Sequence, residues 1–194
     1  MYWTHNGISE ADPAIWPATT DQVKSYGRID GDDESEEIDT FIRGVSAVIE
    51  AMTNRSLVNR TITAVWDKWP SGIIYVPKPP LVSVTSIQYY DSDNALQTLA
   101  TSSYNVDTVS QPGRIEWAND ATLPTLEYRI AAVVITYVGG YGAAAKNVPW
   151  ALRLAVQAAA ADCYEHREMH IEDRVQANPA VTNLIAAYAQ PGVG

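Results

Sequence analysis

The apolar residues of this chain change period twice, and that change limits the possible folds more than any other feature. Ile38, Phe41, Ile42, Val45, Val48, Ile49 and Met52 recur at spacings of three and four, the stripe of a helix with one buried face. From residue 57 the spacing becomes two: Val58, Arg60, Ile62, Ala64 and Trp66 alternate with Asn59, Thr61, Thr63 and Val65, as a half-buried strand requires. Beyond Pro149 helical spacing returns through Ala151, Leu152, Ala155, Val156, Ala159 and Ala160. The order helices, strands, helices predicts an α+β fold: a helical bundle formed by the N- and C-terminal helices, with an inserted antiparallel β module.

Punctuation divides the chain further. Residues 1–18, with Trp3, Pro13, Trp16 and Pro17 and no periodicity, read as an extended N-terminal arm. Thr19 or Thr20 can cap a short helix that closes near Gly27. The β module, residues 57–142, is expected to hold strands at Ile73–Val76, Val82–Tyr90, Ala95–Leu99, Tyr104–Val109, Arg114–Trp117 and Ala131–Val138. Pro77-Lys78-Pro79-Pro80 stops the first of these, because proline donates nothing to a sheet ladder. Asp91-Ser92-Asp93-Asn94 and Gln111-Pro112-Gly113 are turn sequences. The continuous apolar run Ala131–Val138 predicts the most buried strand, and Gly139-Gly140-Tyr141-Gly142 reads as a glycine-rich exit using positive φ. Helical segments span 19–56 and 148–189, the last helix covering Pro179–Ala189, and 190–194 form a loose tail.

Bulk composition narrows function. Hydrophobic residues make up 46% of the 194 positions and charged residues 19%, ordinary values for a folded domain. Lys and Arg total 13 against 23 Asp and Glu, a net charge of -10, which disfavours a protein that grips DNA phosphates. Eleven of the carboxylates fall in the first fifty residues, against three basic residues. The densest run is Asp30-Gly31-Asp32-Asp33-Glu34-Ser35-Glu36-Glu37, which reads as a helix start favoured by the helix dipole. Its acids are bunched, without the alternation, central glycine and closing Glu of a calcium loop. No apolar run approaches the length of a membrane span, and MYWTHNGISEADPAIW lacks the basic and apolar regions of a secretory leader. The one cysteine, Cys163, leaves no partner for an intrachain disulfide.

Motifs for catalysis are weak throughout. Gly139–Gly142 lacks the following Lys and Ser/Thr of a P-loop and the βαβ setting of a dinucleotide fingerprint. His166 and His170 lie four apart on a predicted helix, as helical zinc sites begin, but Arg167 stands where HExxH needs Glu. Cys163 with His166 lacks an orienting Asn or Asp and reads as a small buried hydrophobe. No GxSxG or SxxK pattern occurs. Six Trp and eleven Tyr against one Phe form a set enriched at interfaces, though core filling is the ordinary use of each. No catalytic residue, cofactor site or metal site is assigned, and the chain is not read as an enzyme.

The joint order of short motifs across residues 19–189 resembles the head–tail connector, or adaptor, proteins of tailed bacteriophages and gene transfer agents. These motifs are Thr19–Lys24, Asp32-Asp33-Glu34 with the helix Ile38–Thr53, and Thr53-Asn54-Arg55-Ser56-Leu57. Trp66–Pro70, Val76–Leu81 leading into Val82–Ile87, Tyr89-Tyr90-Asp91, Tyr104–Asp107 and Pro112–Ile115 follow. Ile135–Gly142 and Val148-Pro149 then introduce the long helix ending at Tyr164–Glu168. The longer Trp- and Pro-rich arm and the strongly acidic second-helix start depart from the family pattern.

The resemblance implies a structural virion protein at the neck, made in the host cytoplasm. It implies a homo-oligomeric ring, typically a dodecamer, beneath the portal protein, extending the DNA channel and docking a stopper or tail-terminator protein. DNA would pass without specific binding, and no membrane or cofactor is implied. Such connectors commonly engage the portal through the C-terminal segment, here from about Pro179 to Gly194. An acidic lumen would repel phosphates, so Asp30, Asp32, Asp33, Glu34, Glu36 and Glu37 are the expected channel-lining residues. Trp3, Trp16, Leu184, Ile185, Tyr188 and Pro191 are the expected contacts with portal or neighbour. Other readings are a tail or baseplate component, a small metal-dependent hydrolase built on His166 and His170, and a carbohydrate-binding β module.

Overall fold

The computed structural model describes residues 6–31, 34–166 and 170–189. The chain divides into two compact units, one built from the described residues up to Asp12 with Asn59–Gly140, the other from Pro13–Val58 with the chain from Tyr141 onward. Each has its own hydrophobic core. Both helices and antiparallel strands are present, an α+β fold.

The described residues of the first unit form mainly strands, with one 3₁₀ turn at Thr101–Ser103. Its strands are β1 (Gly7–Glu10), β2 (Arg60–Trp66), β3 (Ile74–Tyr75), β4 (Leu81–Tyr90), β5 (Leu96–Thr98), β6 (Tyr104–Asp107), β7 (Arg114–Trp117) and β8 (Val133–Gly139). Five form an antiparallel sheet in the order β1-β2-β8-β4-β5, and three a second sheet in the order β3-β7-β6. β2 buries Ile62, Ala64 and Trp66, and β8 buries Val133, Ile135 and Tyr137, so the period-two pattern points one face of each strand inward. The run Ala131–Val138, expected to be the most buried strand, alternates: Val134, Thr136 and Val138 are half-buried. β8 is central in the sheet but covered fully on one face.

Turns follow their residue chemistry. Asp91 Oδ1 accepts from Asp93 N and Ala95 N, both at 3.0 Å, and Asn94 takes a φ of 59°, an Asx turn ending in a left-handed residue. Between β6 and β7, Asp107 Oδ2 accepts from Ser110 Oγ at 2.6 Å and from Arg114 Nε at 2.9 Å. Those bonds, Ser110's first, hold the Asp107 carboxyl well below the usual carboxylate range. Gly113 is required by crowding: a Cβ there would lie 2.3 Å from Leu81 Cβ.

Two differences from the sequence reading lie near the junctions of the β module. Leu57 and Val58 begin the alternating pattern but sit in the helical core, and β2 starts only at Arg60. Residues 7–10, within the N-terminal stretch read as an arm, form the edge strand β1. Their register places Gly7 opposite Val65 and Glu10 opposite Ile62, and Glu10 pairs with Arg60 at 3.4 Å and Lys78 at 3.2 Å.

Among the described residues the second unit packs five α-helices: α1 (Thr20–Gly27), α2 (Ser35–Thr53), α3 (Trp150–Glu165), α4 (Ile171–Ala177) and α5 (Pro179–Ala186). Thr19 caps α1 in a capping box with Gln22, satisfying two otherwise unpaired donors. α2 buries Ile38, Ile42, Val45 and Ile49, each at 1% exposure or less, worth about 1.5–3 kcal/mol apiece in hydrophobic transfer. Asn54, in a left-handed conformation with φ of 51°, ends it.

The small side chains Ala155, Ala158, Ala159 and Ala160 of α3 are all buried, letting neighbouring backbones approach closely. Gly44 works the same way, since a Cβ there would stand 2.6 Å from Ile171 Cδ1 on α4. Asn178 caps α5 by accepting from Ala180 N and Val181 N, with Pro179 at the first helical position. No helix among the described residues is long and apolar enough to cross a membrane.

Candidate functional site

The acidic run enters α2 as its helix start. Glu34 is the N-cap residue, with Glu36 and Glu37 in the first turn, where carboxylates meet the positive end of the helix dipole. Described residues on either side of Asp32 and Asp33 are held by α1 and α3. Lys24 Nζ on α1 donates to Gly31 O at 2.7 Å and to Ser35 Oγ at 2.8 Å. Tyr164 on α3 donates its hydroxyl to Glu34 Oε2. Lys24, Ile29, Asp30, Gly31, Glu34, Ile38 and Tyr164 line a cleft of about 190 Å³. Of the acids expected to line a channel, Asp30 and Glu36 are exposed, Glu34 and Glu37 are half-buried, and Asp32 and Asp33 lie outside the described residues.

The expected contact residues separate by position. Trp16 is half-buried against the helical core, with the Arg43 guanidinium 5.7 Å from its ring centroid. Arg43 in turn pairs with Asp39 at 2.7 Å. Leu184 and Tyr188 lie partly exposed on and just beyond α5. Ile185 needs correction as a contact residue: at 3% exposure it belongs to the core of its own unit, because it shares the inward face of α5 with Val181. Trp3 and Pro191 lie outside the described residues.

The end of α5 is anchored by a residue the sequence did not single out for this purpose. Arg55, 5% exposed, donates from Nε to Tyr188 O at 2.8 Å and from Nη1 to the Tyr141 hydroxyl at 3.0 Å. Five residues earlier, Glu50, 4% exposed, accepts from Leu57 N at 2.7 Å. Together they organise the turn out of α2 and the seat of the C-terminal helix.

The proposed catalytic constellations do not assemble. His166 and His170 were expected on one helical face, but α3 stops at Glu165 and His170 is the N-cap of α4, so the helical register that would align the imidazoles is lost. His166 instead lies 3.4 Å from Asp162. Burial pushes the Cys163 thiol up to about 11, away from the thiolate needed for nucleophilic attack. Among the described residues no group of three or more His, Cys, Asp or Glu is placed to hold a metal ion.

Three aromatics far apart in the chain come together. Trp69 stacks against Tyr89 and Trp117 with ring centroids 5.5 and 5.4 Å apart. Both indole N–H groups are spent on backbone carbonyls, Trp69 on Pro124 and Trp117 on Pro70, each at 2.8 Å. The three rings pack against the β core and staple loops to the sheets, rather than forming an open stacking platform for a sugar.

Comparison with known proteins points one way. Residues 18–185 match the family described as "Head completion protein". Three solved structures share the fold. A chain in the neck of an empty GTA particle computed with C6 symmetry is 23% identical with a TM-score of 0.79, covering 95% of this chain and 96% of that one. A chain in the virion of a native gene transfer agent (GTA) particle is 22% identical with a TM-score of 0.77, covering 95% of both chains. A chain in the neck of a native GTA particle computed with C12 symmetry is 22% identical with a TM-score of 0.72, covering 95% of this chain and 96% of that one. No curated protein matches the chain.

Proposed function

The chain belongs to the head completion protein family, the head–tail connectors of phages and gene transfer agents, and from that premise we propose that it is an adaptor ring of the particle neck. It is a structural head–tail component and not an enzyme. In this reading identical copies close into a ring beneath the portal, continue the DNA channel and present a docking surface to a stopper or tail-terminator protein. The observation that carries the reading is the family match over residues 18–185, supported by a fold shared along 95% of the chain with proteins of GTA necks.

The physical features suit that role. A channel that passes DNA works best with walls that do not hold it, and Asp30 and Glu36 offer exposed carboxylates at the start of α2 for its lining or rim, with Asp32, Asp33, Glu34 and Glu37 beside them in sequence. Leu184 and Tyr188 remain half-exposed at the C-terminal helix, and with Pro191 they form the proposed contact with the portal. Trp3 and Trp16 are assigned to a neighbouring copy or the portal. The test is to assemble particles without this chain. Filled heads and separate tails that fail to join are expected, whereas tailed, infective particles in normal number would overturn the role.

A further inference from the structure

A ring of identical copies needs two different faces on each subunit, and the β unit carries a pair that match. The first is a rigid projection in the loop before β8. Tyr128 is 96% exposed and Ile130 80%, yet the loop that carries them is pinned at every side. The Arg129 guanidinium lies 3.5 Å from the Tyr90 ring centroid, and its Nη1 donates to Asn94 Oδ1 at 2.9 Å. Glu127 N donates to Tyr90 O at 3.0 Å, and Ala131 N to Asp67 Oδ1 at 2.8 Å.

Ala131 itself holds a φ of 54°, a left-handed conformation that a residue with a Cβ adopts only under constraint. The chain bends there to send Ala132 and Val133 into the core while leaving Ile130 outside. Two large apolar side chains held in water on an ordered loop have the composition of an interface hot spot. Their ordering cost is met before any partner arrives. Lys68, exposed, stands beside them in the same hollow, which Asp67, its Oδ1 taken up by Ala131 N, and the half-buried Glu127 also line.

The second face is a cleft of about 160 Å³ on the three-stranded sheet, lined by Ile73, Asn105, Val106, Asp107, Arg114 and Glu116. Ile73, just before β3, and Val106 on β6 are 36% and 39% exposed. Asp107 is occupied by Ser110 and Arg114, while Glu116, exposed on β7, feels Arg114 only through space and can still meet a partner's cation. The two faces can pair an exposed apolar loop with an apolar-floored cleft, and the exposed Lys68 ammonium with the exposed Glu116 carboxylate.

We propose that the Tyr128–Ile130 projection of one copy seats in the Ile73–Val106 cleft of the next, with Lys68 facing Glu116. The proposal rests on the ring reading above. A contact of this kind is heterologous: each copy offers its projection forward and its cleft backward, so the interface propagates until rotation closes it.

Single-cysteine exchange tests it in the full chain. Lys68→Cys and Glu116→Cys are made separately, with Tyr128 and Ile130 intact and Cys163 left in place because it is buried. Oxidising the mixture is expected to give a disulfide-linked dimer that neither variant gives alone. Adding Tyr128→Glu to the Lys68→Cys chain is expected to cut the yield at least about tenfold, as loss of a central hot spot should. No dimer in the mixture, equal dimer in either variant alone, or a yield indifferent to Tyr128→Glu overturns the contact. The native mass of the unmodified chain in the same buffer reads the ring separately. A large assembly without the cross-link rejects this contact and keeps the ring, while a monomer without the cross-link rejects both.

Discussion

Replacing Arg55 with alanine should unseat the C-terminal helix. Its guanidinium is buried and spans two acceptors, Tyr188 O at 2.8 Å and the Tyr141 hydroxyl at 3.0 Å. Hydrogen bonds to a charged group are worth about 1.5–3 kcal/mol each, so their joint loss should cost about 3–6 kcal/mol. That is a large part of the roughly 5–15 kcal/mol that holds a domain folded, and it corresponds to a fall in melting temperature of roughly 6–24 °C for a chain of this length. Urea unfolding followed by helical circular dichroism measures the loss.

Hydrogen exchange then locates it: amides of α5 should open faster than those of α2, because Tyr188 follows directly on α5. Arg55→Lys keeps the charge but replaces a rigid fork, whose Nε and Nη1 reach two separate acceptors, by a single ammonium on a flexible stem, and should fall between wild type and Arg55→Ala. A loss below about 1 kcal/mol for Arg55→Ala, where two such bonds should cost several times that, would refute the reasoning, as would unchanged exchange in α5.

Three further outcomes are expected. Gly113→Ala forces a Cβ to within 2.3 Å of Leu81 Cβ in the β core and should destabilise by about 1–3 kcal/mol, read by thermal unfolding. Glu10→Ala removes the carboxylate that serves both Arg60 and Lys78 and should cost about 1–3 kcal/mol, with faster exchange along β1, whereas a neutral result would mean that the N-terminal strand contributes nothing. Cys163, with its thiol raised to about 11 by burial, should resist a thiol reagent at pH 8 in the native state and react at once in denaturant. Rapid native labelling would show that the site opens.

Much of the architecture was legible because it is written in periodicity. The stripe Ile38–Met52 becomes α2 with its inward face as spaced, and Ile62, Ala64 and Trp66 point inward from β2 as alternation demands. Local chemistry was equally readable at Thr19, Asn54 and Asp91–Asn94, where a cap, a left-handed stop and an Asx turn depend only on neighbours in sequence. What stayed hidden depends on partners far along the chain. Gly7–Glu10 has no strand pattern of its own and is extended because β2 offers an open edge and Arg60 and Lys78 receive Glu10.

α4 buries only Val175 fully, too little apolar signal to separate it from the helix before. That missing break is what placed His166 and His170 on one imagined face. Arg55 stands just past the end of α2, and nothing local shows that its fork reaches residues 86 and 133 positions away. Tyr128 and Ile130 lie in a stretch without pattern, and their exposure follows from the turn at Ala131, which only a structure displays.

Whether copies of this chain assemble on the portal is read from native mass. The purified protein is weighed alone and after mixing with the portal ring of its own particle. A discrete complex in which many copies of the chain join one portal is expected. A chain that remains monomeric and passes the portal unbound would overturn the proposed role.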